Sequence, residues 1–180
     1  MPEIDRGRIM KMFDDGDNAD SNAAKGRVLE ELIVYLFGLV PGITLVARNE
    51  MNAFDAEEVD VALWNEGDVG GLRQFDHLIL VECKNWSTAV GYPELAVFHD
   101  KLRSRGRPLG ILVATNGITG DPYRLTRAHS VLAQALAERR EILVITRYEI
   151  ERLVHTDQLV RLLKLKRAQL AVSGTIYLQN

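Results

Sequence analysis

Cysteine is almost missing from this chain: Cys83 is the only one in 180 residues. An internal disulfide is therefore excluded, and a reducing, cytoplasmic setting is the expectation. The four histidines are scattered, so no Cys/His cluster has zinc spacing. Long apolar runs are missing too. The longest, residues 32–40, is helix-sized and closed by Pro41-Gly42, well short of the roughly 20 residues a membrane helix needs. The opening residues, MPEIDRGRIMKMF, mix charges with apolar side chains and lack a signal-peptide core. No membrane partner is expected. Repeats and low-complexity stretches are absent as well, and the length suits one domain.

A strong excess of one charge is also lacking. A net charge of −3 argues at first sight against a nucleic-acid partner, but distribution outweighs the sum. Acids crowd into residues 14–20 and 55–60. Bases come later: Lys101, Arg103, Arg105 and Arg107, then Arg124 and Arg127, Arg139 and Arg140, and a group from Arg161 to Arg167. A protein that binds cations through carboxylates carries an acidic excess that its metals neutralise.

What is present is a regular alternation of elements. Residues 1–13 can form a short amphipathic helix with Ile4, Ile9, Met10 and Phe13 as its apolar positions, followed by a polar loop over 14–22 whose spacing does not fit an EF-hand. Val28, Leu29, Leu32, Ile33, Leu36 and Phe37 predict a helix over 23–38. Strands are expected at 43–47 and 57–64. A glycine-rich turn at 65–73 then leads into a further strand, which makes a hairpin. A helix over 91–105, a strand at 109–114, a helix starting at Asp121-Pro122 and running through Leu125, Ala128, Leu132 and Leu136, a strand at 141–146 and helices over 148–154 and 157–171 complete the order. The tail from Ser173 is a candidate edge strand or interface segment. This order describes an α/β domain with a mixed sheet, an antiparallel hairpin on one side and crossover-linked strands on the other. The expected division is a helix and polar loop over 1–22, a core over 23–155, and a helix and tail over 156–180 packed on that core.

The stretch that organises the chain is DHLILVECKNW, residues 76–86. On a strand, alternate side chains share a face, so Glu82 and Lys84 close the face that Leu78 and Leu80 open. A buried strand reads as a continuous apolar run, and a Glu–Lys pair ending such a run is costly unless something uses it. A salt bridge where the strand surfaces is the alternative. Asp60 likewise interrupts an apolar strand, and the hairpin brings its end near Glu82. Glu30 borders the apolar stripe of the first long helix. Three acids and a lysine converging at one sheet edge repel unless a cation sits among them. Asp60, Glu82 and the main-chain oxygen of Cys83 are the kind of donors Mg²⁺ takes.

Asp60 followed some twenty residues later by Glu82-Cys83-Lys84 resembles the PD-(D/E)XK nuclease superfamily. Residues 26–30, GRVLE, resemble its leading helix, whose glutamate points at the site. Residues 110–120, GILVATNGITG, with the helix that follows and EILVIT, resemble the Mrr-like restriction endonuclease branch. The resemblance covers about residues 24–155. It implies a restriction-endonuclease-like mixed sheet flanked by helices, with Asp60 and Glu82 as metal ligands, Lys84 as the catalytic lysine and Glu30 as an auxiliary acid. The activity implied is phosphodiester hydrolysis, most naturally of DNA, with Mg²⁺ as cofactor and Mn²⁺ able to substitute. The superfamily's proline before the first acid is Val59 here, and Asp55 is the alternative first acid.

Two other readings stand beside it: a non-catalytic member that binds nucleic acid or a protein, and a Holliday-junction resolvase built on the same core. The run Lys101, Arg103, Arg105 and Arg107 is the candidate phosphate-contacting surface, with a solvated helix end as the alternative. Cys83 reads as a small core residue, His99 as exposed or capping, Trp86 as a packing residue or a base-stacking platform, and Asn116-Gly117 as a turn. A chain of this size suggests a homodimer or a companion protein in a defence or repair setting. Ala substitution of Glu82 or Lys84 is expected to abolish cleavage and leave the fold intact.

Overall fold

The computed structural model describes residues 2–51 and 58–178. The alternative acid Asp55 and the first residue of the expected second strand, Glu57, lie outside the described residues. Among the described residues five strands, β1 (Ile43–Met51), β2 (Glu58–Asn65), β3 (Leu78–Lys84), β4 (Leu109–Ala114) and β5 (Glu141–Ile145), form one sheet in sequence order. β1 pairs with β2 and β2 with β3 in antiparallel fashion, whereas β3, β4 and β5 run parallel to one another. The apolar run of β4 suits its place inside the sheet, where every one of its residues is buried, and β5 closes the parallel edge with Ile142–Ile145 buried.

Among the described residues, six helices flank the sheet: α1 (Arg6–Asp17), α2 (Asn22–Gly38), α3 (Tyr92–Ser104), α4 (Ala128–Ala137), α5 (Arg147–Ile150) and α6 (Thr156–Ser173). One core joins them. Leu29, Leu32, Ile33 and Phe37 of α2, Leu95, Phe98 and Leu102 of α3, and Leu159, Leu163 and Leu170 of α6 all pack into it. Among the described residues no helix is long and apolar enough to cross a membrane.

Beyond the shifted ends of β1 and α5, three elements depart from the sequence expectation. α1 runs through Asp14–Asp17, where a loop is expected, because tertiary contacts outweigh a polar composition. Gly16 is buried, and Arg147 caps the last turn, its guanidinium 2.6 Å from Asp17 and 4.5 Å from the Phe13 ring centroid. Met10, expected among the apolar contacts, is exposed.

Asp121-Pro122 does not open a helix. The Asp121 carboxylate accepts from the Tyr123 and Arg124 N–H groups, Thr126 Oγ1 accepts from Asp121 N, and Leu125 and Arg127 take positive φ. These contacts close a turn, and α4 starts only at Ala128. Gly120 is needed there: at φ +113° a Cβ would stand 2.2 Å from the Thr126 carbonyl oxygen. Finally, the described part of the tail, through Leu178, adds no strand. Thr175 and Ile176 are buried, and Thr175 Oγ1 lies 2.7 Å from His129 Nδ1.

Candidate active site

β2 and β3 pair with Val61 opposite Val81 and Ala62 opposite Leu80. One step further along the same register sets Asp60 opposite Glu82 on a shared face. Asp60 Oδ2 accepts a 2.7 Å hydrogen bond from the Cys83 N–H, which fixes its carboxyl at the end of β3. Burial, and then the neighbouring charge of Glu82, push the Asp60 carboxyl up to about 6. Two acids that the hairpin was expected to bring together therefore do meet.

Glu82 is 5 % exposed, deeper than a residue at a strand exit would be. Both of its oxygens are engaged. Lys84 Nζ lies 2.8 Å from Oε1, and Lys101 Nζ of α3 lies 2.8 Å from Oε2. Burial pulls the Lys84 amine down, but the charge and hydrogen bond of Glu82 outweigh it and hold the amine above its ordinary value. Lys84 is thus an ammonium at neutral pH, 24 % exposed in its side chain and 6.0 Å from the Trp86 ring centroid. Cys83 is buried, and burial together with the nearby acids raises its thiol well above the usual range. It is a core residue, as the sequence suggests.

Glu30 reaches the site from α2, but its partner is Arg48 of β1, with Nε 3.0 Å from Oε2. Arg48 also donates to the Arg27 carbonyl. Glu30, Asp60, Cys83, Lys84, Asn85 and Trp86 all line one cavity of about 350 Å³. The three acids are neighbours, then, though each is held differently: Glu30 by arginine, Glu82 by two lysines, Asp60 by a backbone N–H. Among the described residues no group of three or more His, Cys, Asp or Glu side chains is gathered as a metal cage. The donors nevertheless suit a divalent cation. Asp60 is an acid made costly to ionise by burial and then by an adjacent acid, beside a cavity large enough for a hydrated ion, and a cation there would relieve that cost.

The loop after β3 is pinned from β4. The Trp86 carbonyl accepts from Thr115 Oγ1 at 3.1 Å and from the Asn116 amide, and Asn85 Nδ2 donates to Lys25 O at 3.2 Å. Asn116 is therefore more than a turn residue.

The basic run of α3 is divided. Lys101 faces inward onto Glu82, and Arg103 is exposed and pairs with Asp100. Arg107 is 3.8 Å from Asp76, ahead of β3. Arg107 thus sits near the start of β3, while the acids sit at its end, a strand length of roughly 20 Å away. Arg103, Arg105 and Arg107, read from the sequence as part of a phosphate-contacting surface or a solvated helix end, do not border the cavity. The cause is directional: a crossover helix runs back along the sheet, so its C-terminal end is far from the C-terminal end of the strand before it. His99 is buried rather than exposed, with Nε2 3.3 Å from Glu138.

The roles of Lys101 and Arg48 were missed from the sequence. Lys101 carried a signal: it lies three residues after the inward Phe98 and next to Leu102, on the buried stripe of α3. Arg48 carried none, because it falls in the part of β1 that lies past the expected strand end.

A five-stranded mixed sheet flanked by helices, with paired acids and a lysine at the end of adjacent strands, defines an α/β fold of the restriction-endonuclease type. The chain belongs to the Mrr catalytic-domain family, whose model, described as restriction endonuclease, matches residues 23–154. A comparison with curated proteins gave no match. The family is one of nucleases, and domains of this type usually use divalent metals.

Proposed function

We propose that this protein is a Mg²⁺-dependent endonuclease acting on DNA, with Mn²⁺ able to replace Mg²⁺. The observation that carries the reading is the juxtaposition of Asp60, Glu82 and Lys84 on paired strands beside a cavity that also receives Glu30. Asp60, Glu82 and the main-chain oxygen of Cys83 would hold the cation. When bound, such a cation lowers the pKa of its water and neutralises charge on the phosphate.

The chain's own groups do the rest. The Lys84 ammonium orients the attacking water and offsets charge building on the phosphoryl oxygens. Its raised pKa favours this electrostatic role over proton abstraction. Asp60, with a carboxyl near 6, is ionised for much of the time at neutral pH and can accept the cation. Glu30, steadied by Arg48, shapes the cavity wall as an auxiliary acid. Trp86, partly exposed and anchored through its carbonyl, offers a face for a base.

A homodimer, or a companion protein in a defence setting, extends the proposal, since one site breaks one strand. A second reading, a nucleic-acid-binding member without activity, draws on the double lysine contact at Glu82. Incubation with supercoiled, linear, branched and single-stranded DNA and with RNA, each with Mg²⁺ or with chelator, separates the readings. The nuclease reading expects Mg²⁺-dependent nicking or linearisation that Lys84→Ala abolishes. Confinement of cutting to branched DNA indicates a junction resolvase. Binding without cleavage under all conditions removes the enzymatic reading.

A further inference from the structure

The two lysines on Glu82 are not equivalent. Lys84 comes from the strand end, is partly exposed and lines the cavity. Lys101 comes from α3, is only 8 % exposed, and reaches Glu82 Oε2 from within the core. It cannot swing aside easily. Its neighbours Phe98 and Leu102 press onto Gly110 of β4, where a Cβ would stand 2.7 and 2.8 Å from their side-chain carbons. α3 is seated directly on the sheet backbone at that point. Lys84 already pairs with Glu82, and burying a second lysine against the same carboxylate is costly unless it serves a purpose.

We propose that Lys101 is a positioning residue for the candidate metal site: it clamps Oε2 of Glu82 from the core side and so directs Oε1 toward Lys84, the lysine that lines the cavity. The inference rests on the nuclease reading above and adds a residue to it. Groups that hold a metal ligand from behind fix its orientation, and their loss costs roughly 10–100-fold in metal affinity or activity. The sign of the effect is diagnostic. If Lys101 merely added positive charge near the cation, its removal would tighten cation binding, because like charges repel. If it positions Glu82, its removal weakens binding.

The test measures Mn²⁺ affinity by water-proton relaxation, with no substrate present, on wild type, Lys101→Met and Lys101→Arg, each checked for folding by circular dichroism. The expected result is binding weakened about 10-fold or more in Lys101→Met and largely restored in Lys101→Arg, with DNA cleavage following the same order. Affinity that is unchanged or tighter in Lys101→Met overturns the positioning role while leaving the nuclease reading in place. Absence of Mn²⁺ binding in the wild type overturns both. Should Lys101→Met fail to fold, Lys101→Gln, which keeps an N–H donor without the charge, carries the same comparison.

Discussion

A carboxyl that titrates near 6 in the folded chain and at 3.8 when unfolded ties Asp60 to the stability of the protein. The folded state favours the protonated form, so the contribution of this group is fully present below pH 3.8. It is lost as pH rises through 6. The displacement corresponds to roughly 3 kcal/mol. Without divalent ions, the urea midpoint of the wild type should therefore fall between about pH 4 and 6.5 more steeply than that of Asp60→Asn. Parallel pH profiles for the two proteins would show that Asp60 is not under strain.

Glu82 needs a different substitution from the one its sequence position suggests. It lies in the core, and Glu82→Ala would leave Lys101 buried without its partner, at a cost of about 3–5 kcal/mol. Glu82→Gln keeps the volume and a hydrogen-bonding oxygen. It should fold and lose cleavage, whereas Glu82→Ala should lose both, as thermal melts beside plasmid assays will show. Lys84, nearer the surface, tolerates alanine in the fold and loses cleavage. The pairing of Asp60 with Glu82 and Lys84 was legible in the sequence, because each breaks an apolar alternation that hairpin register brings together. Lys101 and Arg48 were not, because their meaning lies in which element covers them.

Among the elements, the apolar strands β4 and β5 and the periodic helix α2 read clearly, since each is set by its own pattern of burial. The misread segments are those where side chains bond locally or where a distant group intervenes. The Asp121 turn satisfies its own backbone and so never becomes a helix. The end of α1 is extended by Arg147, an influence 130 residues away in the chain. α3 is the element on which the site most depends. It is held close to the sheet by Gly110, and Gly110→Val should force it outward, costing about 1–3 kcal/mol through overpacking. Because Lys101 rides on α3, this variant should also reduce cleavage at a temperature where it remains folded. A variant with a normal melting temperature and normal cleavage would mean that the helix can yield without disturbing the site. Glu149, which does not line the cavity, accepts from Thr146 at the start of α5 and pairs with Lys166 of α6 at 2.7 Å, so its role is to join two helices. Glu149→Ala should destabilise by about 3–5 kcal/mol and leave cleavage per folded molecule unchanged.

At the scale of the whole molecule, the order of elements was readable because short connections and right-handed crossovers leave few ways to arrange a hairpin followed by strand–helix–strand units. Where the basic surface falls was not readable, since sequence proximity of 101–107 to the site residues says nothing about which end of the sheet a crossover helix reaches. One chain has one cluster of Asp60, Glu82 and Lys84, and one such cluster can hydrolyse one phosphodiester at a time. A double-strand break therefore requires two encounters or two chains. With supercoiled plasmid and Mg²⁺, a monomeric enzyme produces nicked circles first and linear DNA later, at a rate proportional to protein concentration. The proposed homodimer produces linear DNA with little nicked intermediate, and its rate rises faster than the first power of concentration near the dimerisation constant. Mixing wild type with Lys84→Ala sharpens the distinction: in a dimer the mixed species nicks but does not linearise, so nicked circles accumulate in proportion to the inactive partner. A mixture that behaves as a simple dilution of the wild type would exclude the dimer as the cleaving unit.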